Sequence, residues 1–243
     1  MGGSAFARES LRVSPLLVAI LLGMLVCVGF GALNGALVTV VRLPAFIVTL
    51  GTLNIAFALT HIYSKDETIA DVPSQLMFLG RTLSIRGTVF TYGVPVMLGL
   101  FVVVWYALTK TAWGRHVYAT GDNSEAARLA GIKTGRVLLS VYTLAGLFAG
   151  IAGLLLVGRL GVGDPNVGQT DNLDSITAVV LGGTSLFGGR GSIIGTLIGV
   201  VIVGVFRNGL QLMGVAAIYQ ILVTGILVIL AVSADRLTQA RRQ

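Results

Sequence analysis

Residues 15–38 are apolar apart from Asn34 and a set of glycines. At about 1.5 Å per residue, a helix of that length reaches across the roughly 30 Å of hydrocarbon in a bilayer. This run constrains the chain most because it recurs, over 44–63, 92–109, 137–157, 175–187, 192–212 and 216–233. Backbone in lipid must satisfy its own N–H and C=O groups, so the series predicts an all-α, polytopic transmembrane bundle of about six or seven spans. Residues 1–243 then read as a single transmembrane domain. Only 11% of the residues are charged, against roughly 25% in an ordinary soluble domain. The 33 glycines suit helices that must approach closely where lipid gives no hydrophobic push toward association.

A net charge of +7 would point to nucleic acid in a soluble protein. Here the cations stand between apolar runs and beside the C-terminus, the pattern of positive-inside topology, so membrane lipid rather than nucleic acid is the expected partner. Cys27 is the single cysteine and sits in an apolar run, which excludes a disulfide within the chain and a cysteine-rich metal site. No metal site is expected. His61 and His116 are far apart and neither begins a His-Glu-x-x-His pattern.

Within the series some segments stand apart. Residues 44–63 carry the polar thread Thr49, Thr52, Asn54, Thr60 and His61. Residues 65–86, mixed in charge and broken by Pro73, read as an extramembrane loop with a surface helix near 74–79. Gly146, Gly150 and Gly153 have close-packing spacing in the fourth run. The stretch 159–174 reads as a loop of turn formers. The following run, 175–187, is short for a crossing and predicts a broken or half-depth helix, because the cluster LGGTSLFGGRG interrupts it. Gly182, Gly183, Gly188, Gly189 and Gly191 are expected there as structural glycines for tight packing or reversal. Gly189, Gly191 and Gly195 imitate a dinucleotide fingerprint, but that motif needs a preceding strand and a βαβ unit, and the flanks here are membrane runs.

The long polar interruption, 110–136, holds five of the 17 Lys and Arg residues. Inside it, Asp122 to Gly131 predicts a short helix, with Asp122 as N-cap, Glu125 three residues later in the capping-box position and Gly131 ending it in the left-handed conformation. Ala126, Leu129 and Ala130 would share a face. Placing this loop and the C-terminal tail in the cytoplasm puts ten cations inside, and seven cations with seven of the ten acids outside. That topology leaves Met1 outside with Arg8 and Arg12, an awkward start for insertion, from which spans upstream of Met1 are expected to be missing.

Neutral polar residues in the runs are the candidates for meeting a hydroxylated solute: Asn34, Thr49, Thr52, Asn54, Thr184, Ser185 and Asn208. A sugar calls for such donors and acceptors rather than fixed charges. The alternative use of each is a hydrogen bond between helices. Asn34-Gly35 and Asn208-Gly209 each stand late in a Gly-rich run, a short echo compatible with an inverted repeat. No catalytic constellation and no phosphate-cradling G-x-x-x-x-G-K-[ST] loop is present, so the chain is not expected to be an enzyme or to bind a cofactor. ATP, if used, would be used by another subunit.

The segments TAWGRHVYATGDNSEAARLAGI, LDSITAVVLGGTSLFGGRGSIIGTLIGVVIVGV and LPAFIVTLGT resemble the membrane permease of bacterial monosaccharide ABC importers, the ribose, xylose and fructose group, with wording nearest the fructose type. The resemblance implies an inner-membrane permease that pairs with a second copy of itself, docks a periplasmic sugar-binding protein and is driven by cytoplasmic ATP-binding subunits. It implies that Asp122 to Gly131, with Glu125, Ala126, Ala127 and Arg128 at its centre, is the coupling helix, Glu125 and Arg128 pairing with side chains of the ATPase groove. Two other classes stay open: an ion-coupled secondary transporter with Asp174 as its ionisable site, and a non-conducting assembly subunit.

Overall fold

The computed structural model describes residues 3–70, 72–80, 82–85, 88–186 and 188–240. Asp71, Arg81, Arg86, Arg241 and Arg242, which enter the charge count above, lie outside them, as does Met1. Among the described residues, five helices are long and apolar enough to cross a membrane: α1 (Gly3–Thr39, apolar from Leu16), α2 (Ala45–Ser64), α3 (Gly93–Lys110), α6 (Thr134–Leu160) and α8 (Ile193–Leu212). Helices α4 (Ala112–Asp122), α5 (Ser124–Leu129), α7 (Asp171–Leu181) and α9 (Ala217–Ala240) complete the all-α architecture. Helix α7 has 11 residues, about 16 Å, so it reaches only partway across hydrocarbon, as its glycine-interrupted sequence predicts.

Two compact units divide the chain. The first comprises Met1–Leu98 and Gly135–Pro165. Here α1 lies against α6 along glycines. A Cβ on Gly31 would run into the Tyr142 carbonyl and come 3.0 Å from Gly146 Cα; one on Gly150 would lie 2.8 Å from the Met24 sulfur. Gly146 meets the Cys27 carbonyl in the same way, whereas Gly153, expected to share this role, has nothing within 4 Å. Helix α2 is tied to α1 by the Thr52 hydroxyl, which donates to Asn34 Oδ1 at 2.8 Å. In lipid such a bond contributes about 0.6 kcal/mol.

The loop after α2 holds more structure than its sequence predicts. A 3-10 turn, Leu76–Gly80, is followed by an antiparallel hairpin of β1 (Thr82–Ile85) and β2 (Thr88–Thr91). Ile69 and Gly163 exchange backbone hydrogen bonds of 2.8 and 2.9 Å, and Phe78 stacks on Tyr92 at 4.8 Å. Gly80 abuts the backbone of Gly158 and Arg159, so this loop is held down on the end of α6.

The second unit comprises Gly99–Thr134 and Asn166–Gln243. Its centre is an antiparallel hairpin of α7 and α8. Gly182 faces the Gly195 backbone and Gly199 faces the Ala178 backbone, both too closely for a Cβ. At the other end of the hairpin Arg207 donates to Asp174 Oδ2. Gln220 and Thr224 of α9 line the cleft beside this pair. Thr177, 1% exposed, donates to the Leu173 carbonyl at 2.7 Å, so the most buried polar side chain is satisfied within its own helix. Large apolar side chains face outward instead, Leu25 at 68% and Ile62 at 74% exposed, as expected where lipid is the solvent.

The α1–α6 contact makes a discriminating prediction. Gly146→Leu should lower the thermal midpoint of the purified protein in detergent, overpacking by about 1–3 kcal/mol, while Gly153→Leu should leave it unchanged. Equal shifts in the two variants would rule out the close approach.

Candidate functional site

The polar interruption folds into two consecutive helices rather than one. Helix α4 turns back sharply from α3: Thr111 caps it, its hydroxyl accepting from Gly114 N–H at 3.2 Å, and Gly114 sits against the Leu108 backbone where any Cβ would collide. The α4 segment was legible only as loop because its charges mask the apolar positions Trp113, Val117 and Tyr118.

Between α4 and α5 stands Asn123, with extended backbone. Its N–H donates to the Ala119 carbonyl at 3.1 Å and so closes α4, while its side-chain oxygen accepts from Ala126 N–H at 2.9 Å and opens α5. The expected cap, Asp122, is therefore displaced by one residue. Asp122 is the last residue of α4, and the extended conformation that a cap requires falls on Asn123. Glu125 correspondingly occupies the second helical position, not the third, and takes no part in a capping box. The other end agrees with the sequence. Gly131 has φ +86°, its N–H donates to Arg128 and that of Ile132 to Ala127, both at 3.0 Å. This Schellman closure satisfies carbonyls that a six-residue helix would otherwise leave open.

Ala127 is buried, whereas Glu125, Ala126, Arg128, Leu129 and Ala130 are exposed. Leu129 is 78% exposed, a large apolar side chain presented on a polar helix outside the membrane runs. Glu125 and Arg128 pair with one another in a fork of 2.6 and 3.2 Å. Arg128, by hydrogen bonding and then by its charge, holds the Glu125 carboxyl below its ordinary range, and Glu125 likewise raises the Arg128 guanidinium.

Behind these helices lies the glycine cluster. A Cβ on Gly121 would come 2.9 Å from the Gly189 nitrogen, and one on Gly189 would come 2.7 Å from Asp122 Cα. Gly188 abuts the Gly121 carbonyl, and the Tyr118 hydroxyl donates to the Gly191 carbonyl at 3.0 Å. Gly183, Gly188 and Gly189 have positive φ. Tyr118, Gly121 and Asn123 had no place in the sequence reading; a glycine immediately before the helix break was the available signal.

The polar candidates for solute contact do not converge within either unit. In the first, Asn34 is engaged with Thr52, Thr49 donates to its own helix at the Ala45 carbonyl, and Asn54 donates to the Leu50 carbonyl. In the second, Thr184 and Ser185 belong to the glycine loop, Thr184 Oγ1 lying 3.4 Å from Thr196 Oγ1, while Asn208 is exposed toward the far end of α8. The Asn-Gly echo does not extend to packing either: Gly35 fits against Leu139 and Tyr142, and Gly209 has nothing within 4 Å.

A family model described as "branched-chain amino acid transport system / permease component" matches residues 1–232. The fructose import permease protein of Rhizobium meliloti is 49% identical over 227 residues, 91% of this chain and 63% of that one. The ribose import permease protein of Bacillus subtilis is 43% identical, over 92% of this chain and 69% of that one. Its counterpart in Escherichia coli K12 is 38% identical, with 92% and 70% covered. The chain thus spans about two thirds of the length of these relatives. No solved structure matches it.

The Glu125–Arg128 pair carries a pH signature. Because the carboxyl is depressed in the fold, the pair contributes fully above the ordinary carboxylate value and is lost as pH falls through the depressed one. Arg128→Gln should move the Glu125 titration upward toward the ordinary carboxylate range, read by NMR of carboxyl-labelled protein. An unmoved midpoint would mean that the pair does not form in solution.

Proposed function

The chain belongs to the family described as the permease component of branched-chain amino acid transport systems, and on that premise we propose that it is the membrane-spanning permease of an ATP-driven monosaccharide importer. Residues 1–243 act as one multi-pass domain in a bacterial inner membrane, pairing with a second permease copy. The solute is a monosaccharide of the kind named in the fructose and ribose permeases to which the chain is similar. A periplasmic sugar-binding protein delivers it, and separate cytoplasmic ATP-binding subunits do the hydrolysis.

The observation that carries this reading is α5. It is short, capped at both ends, outside the membrane runs and exposed along Glu125, Ala126, Arg128 and Leu129, which suits insertion into a groove of an ATPase subunit. Leu129 supplies the apolar anchor. Glu125 and Arg128, already paired, exchange partners at the interface rather than standing free to receive them. Alternating access follows when these subunits close and carry α5 with them.

The proposed orientation keeps 110–136 and the C-terminus in the cytoplasm. The Asp174–Arg207 pair supports counting both residues on one side of the membrane. It also weighs against ion coupling, since the carboxylate such a carrier would use is taken up by Arg207. Solute contacts are proposed for Asn34, Thr49 and Asn54 of the first unit and for Thr184, Ser185 and Asn208 of the second.

The test is at Leu129. Leu129→Asp in the full natural protein should weaken ATPase-subunit binding about 30-fold, as for a buried interface anchor, while insertion into the membrane is unchanged. Undiminished binding in a co-purification titration would sink the docking assignment.

A further inference from the structure

We propose that the joint between the C-terminal end of α4 and the glycine loop, made by Tyr118, Gly121, Gly188, Gly189 and Gly191, transmits displacement of α5 to the α7–α8 hairpin. The proposal rests on the docking reading of α5 and adds the path by which docking reaches the membrane helices.

Three features of the joint suit it to transmission. First, the contact is backbone on backbone: Gly121 with Gly188 and Gly189, and Gly189 with Asp122 Cα, at separations that exclude even a methyl group. Side chains at an interface can change rotamer and absorb a small displacement, but main chain in direct contact has no such slack. Second, the loop is pinned at two places. The Tyr118 hydroxyl holds the Gly191 carbonyl, and within the loop Ser185 N–H donates to the Arg190 carbonyl at 2.9 Å. Third, the loop is continuous with both arms of the hairpin, and those arms are themselves in backbone contact through Gly182 with Gly195 and Gly199 with Ala178, with Asp174–Arg207 at the far end. Among the described residues, a push on α4 at Gly121 therefore meets main chain at Gly188 and Gly189 directly, with no side chain between them. On the other side, Asn123 joins α5 to α4 with no intervening loop residue, capping both helices.

The sequence supports a mechanical rather than a merely spatial role. Gly121 lies in the last turn of α4, where alanine would still be the better helix former, by up to about 1 kcal/mol. Gly121→Ala should thus favour α4 itself while wedging the joint. Tyr118→Phe keeps the ring and removes one hydrogen bond. The two variants disturb the same contact by unrelated means.

Both should be made in the full natural protein, reconstituted in liposomes with its ATP-binding subunits and sugar-binding protein, and read as sugar moved per ATP hydrolysed. The expected result is that both variants retain ATPase-subunit binding and stimulated hydrolysis, while sugar per ATP falls about fivefold for Tyr118→Phe and at least as much for Gly121→Ala. Gly204→Ala, on α8 with nothing within 4 Å, is the control and should leave the ratio unchanged. If hydrolysis and uptake fall in proportion, or neither changes, the joint is not the transmitting contact. Failure of the docking reading is separable, because it appears as unchanged subunit binding in Leu129→Asp whatever the ratio does.

Discussion

Helices surrounded by lipid gain little from turning apolar faces toward each other, since the solvent is as apolar as the partner. What holds them is contact at short range, and short range is set by what lies on Cβ. Each unit of this chain depends on that constraint. In the first, Gly31, Gly35, Gly146 and Gly150 let α1 lie on α6. In the second, Gly182, Gly195 and Gly199 let α7 lie on α8. The same device recurs where Gly121 meets Gly188 and Gly189, so that the polar helices are built onto the apolar ones by main chain.

Polar groups are correspondingly economical. Most hydroxyls in the runs donate to a carbonyl of their own helix, as Thr39, Thr49, Thr60 and Thr177 do. Polar contacts that do reach across helices, such as Thr52 to Asn34 and Arg207 to Asp174, join neighbours already close. Such contacts fix register at small energetic gain, leaving the glycines to decide which helices approach.

Much of this was legible beforehand. Among the described residues, five of the apolar runs became helices long enough to cross. The run 216–233, expected as a further span, falls in α9, whose apolar part Ile218–Leu230 is shorter. The shortness of 175–187 anticipated an α7 that stops at Leu181. Turn formers made 159–174 read as loop, yet its last residues, Asp171 to Asp174, form the first turn of α7, where a helix N-terminus favours the charge of the two acids. The paired strands β1 and β2 were missed because four-residue strands carry almost no periodicity. At the candidate site, Gly131 was readable since its left-handed conformation is nearly a glycine monopoly. The choice between Asp122 and Asn123 was not, because both side chains can cap and only the backbone decides. Asp174 and Arg207, 33 residues apart, are brought together by the hairpin register, which no local pattern encodes.

Helix α5 has six residues, far fewer than the roughly 12–15 below which an isolated helix is marginal in water. Asn123 at one end and Gly131 at the other hold it folded before anything binds. Ordering a flexible segment at the moment of association costs about 1–2 kcal/mol per residue in backbone entropy alone. On the proposed docking, a preformed α5 would meet an ATP-binding subunit with that cost already settled during folding, closer to a rigid key than to coupled folding.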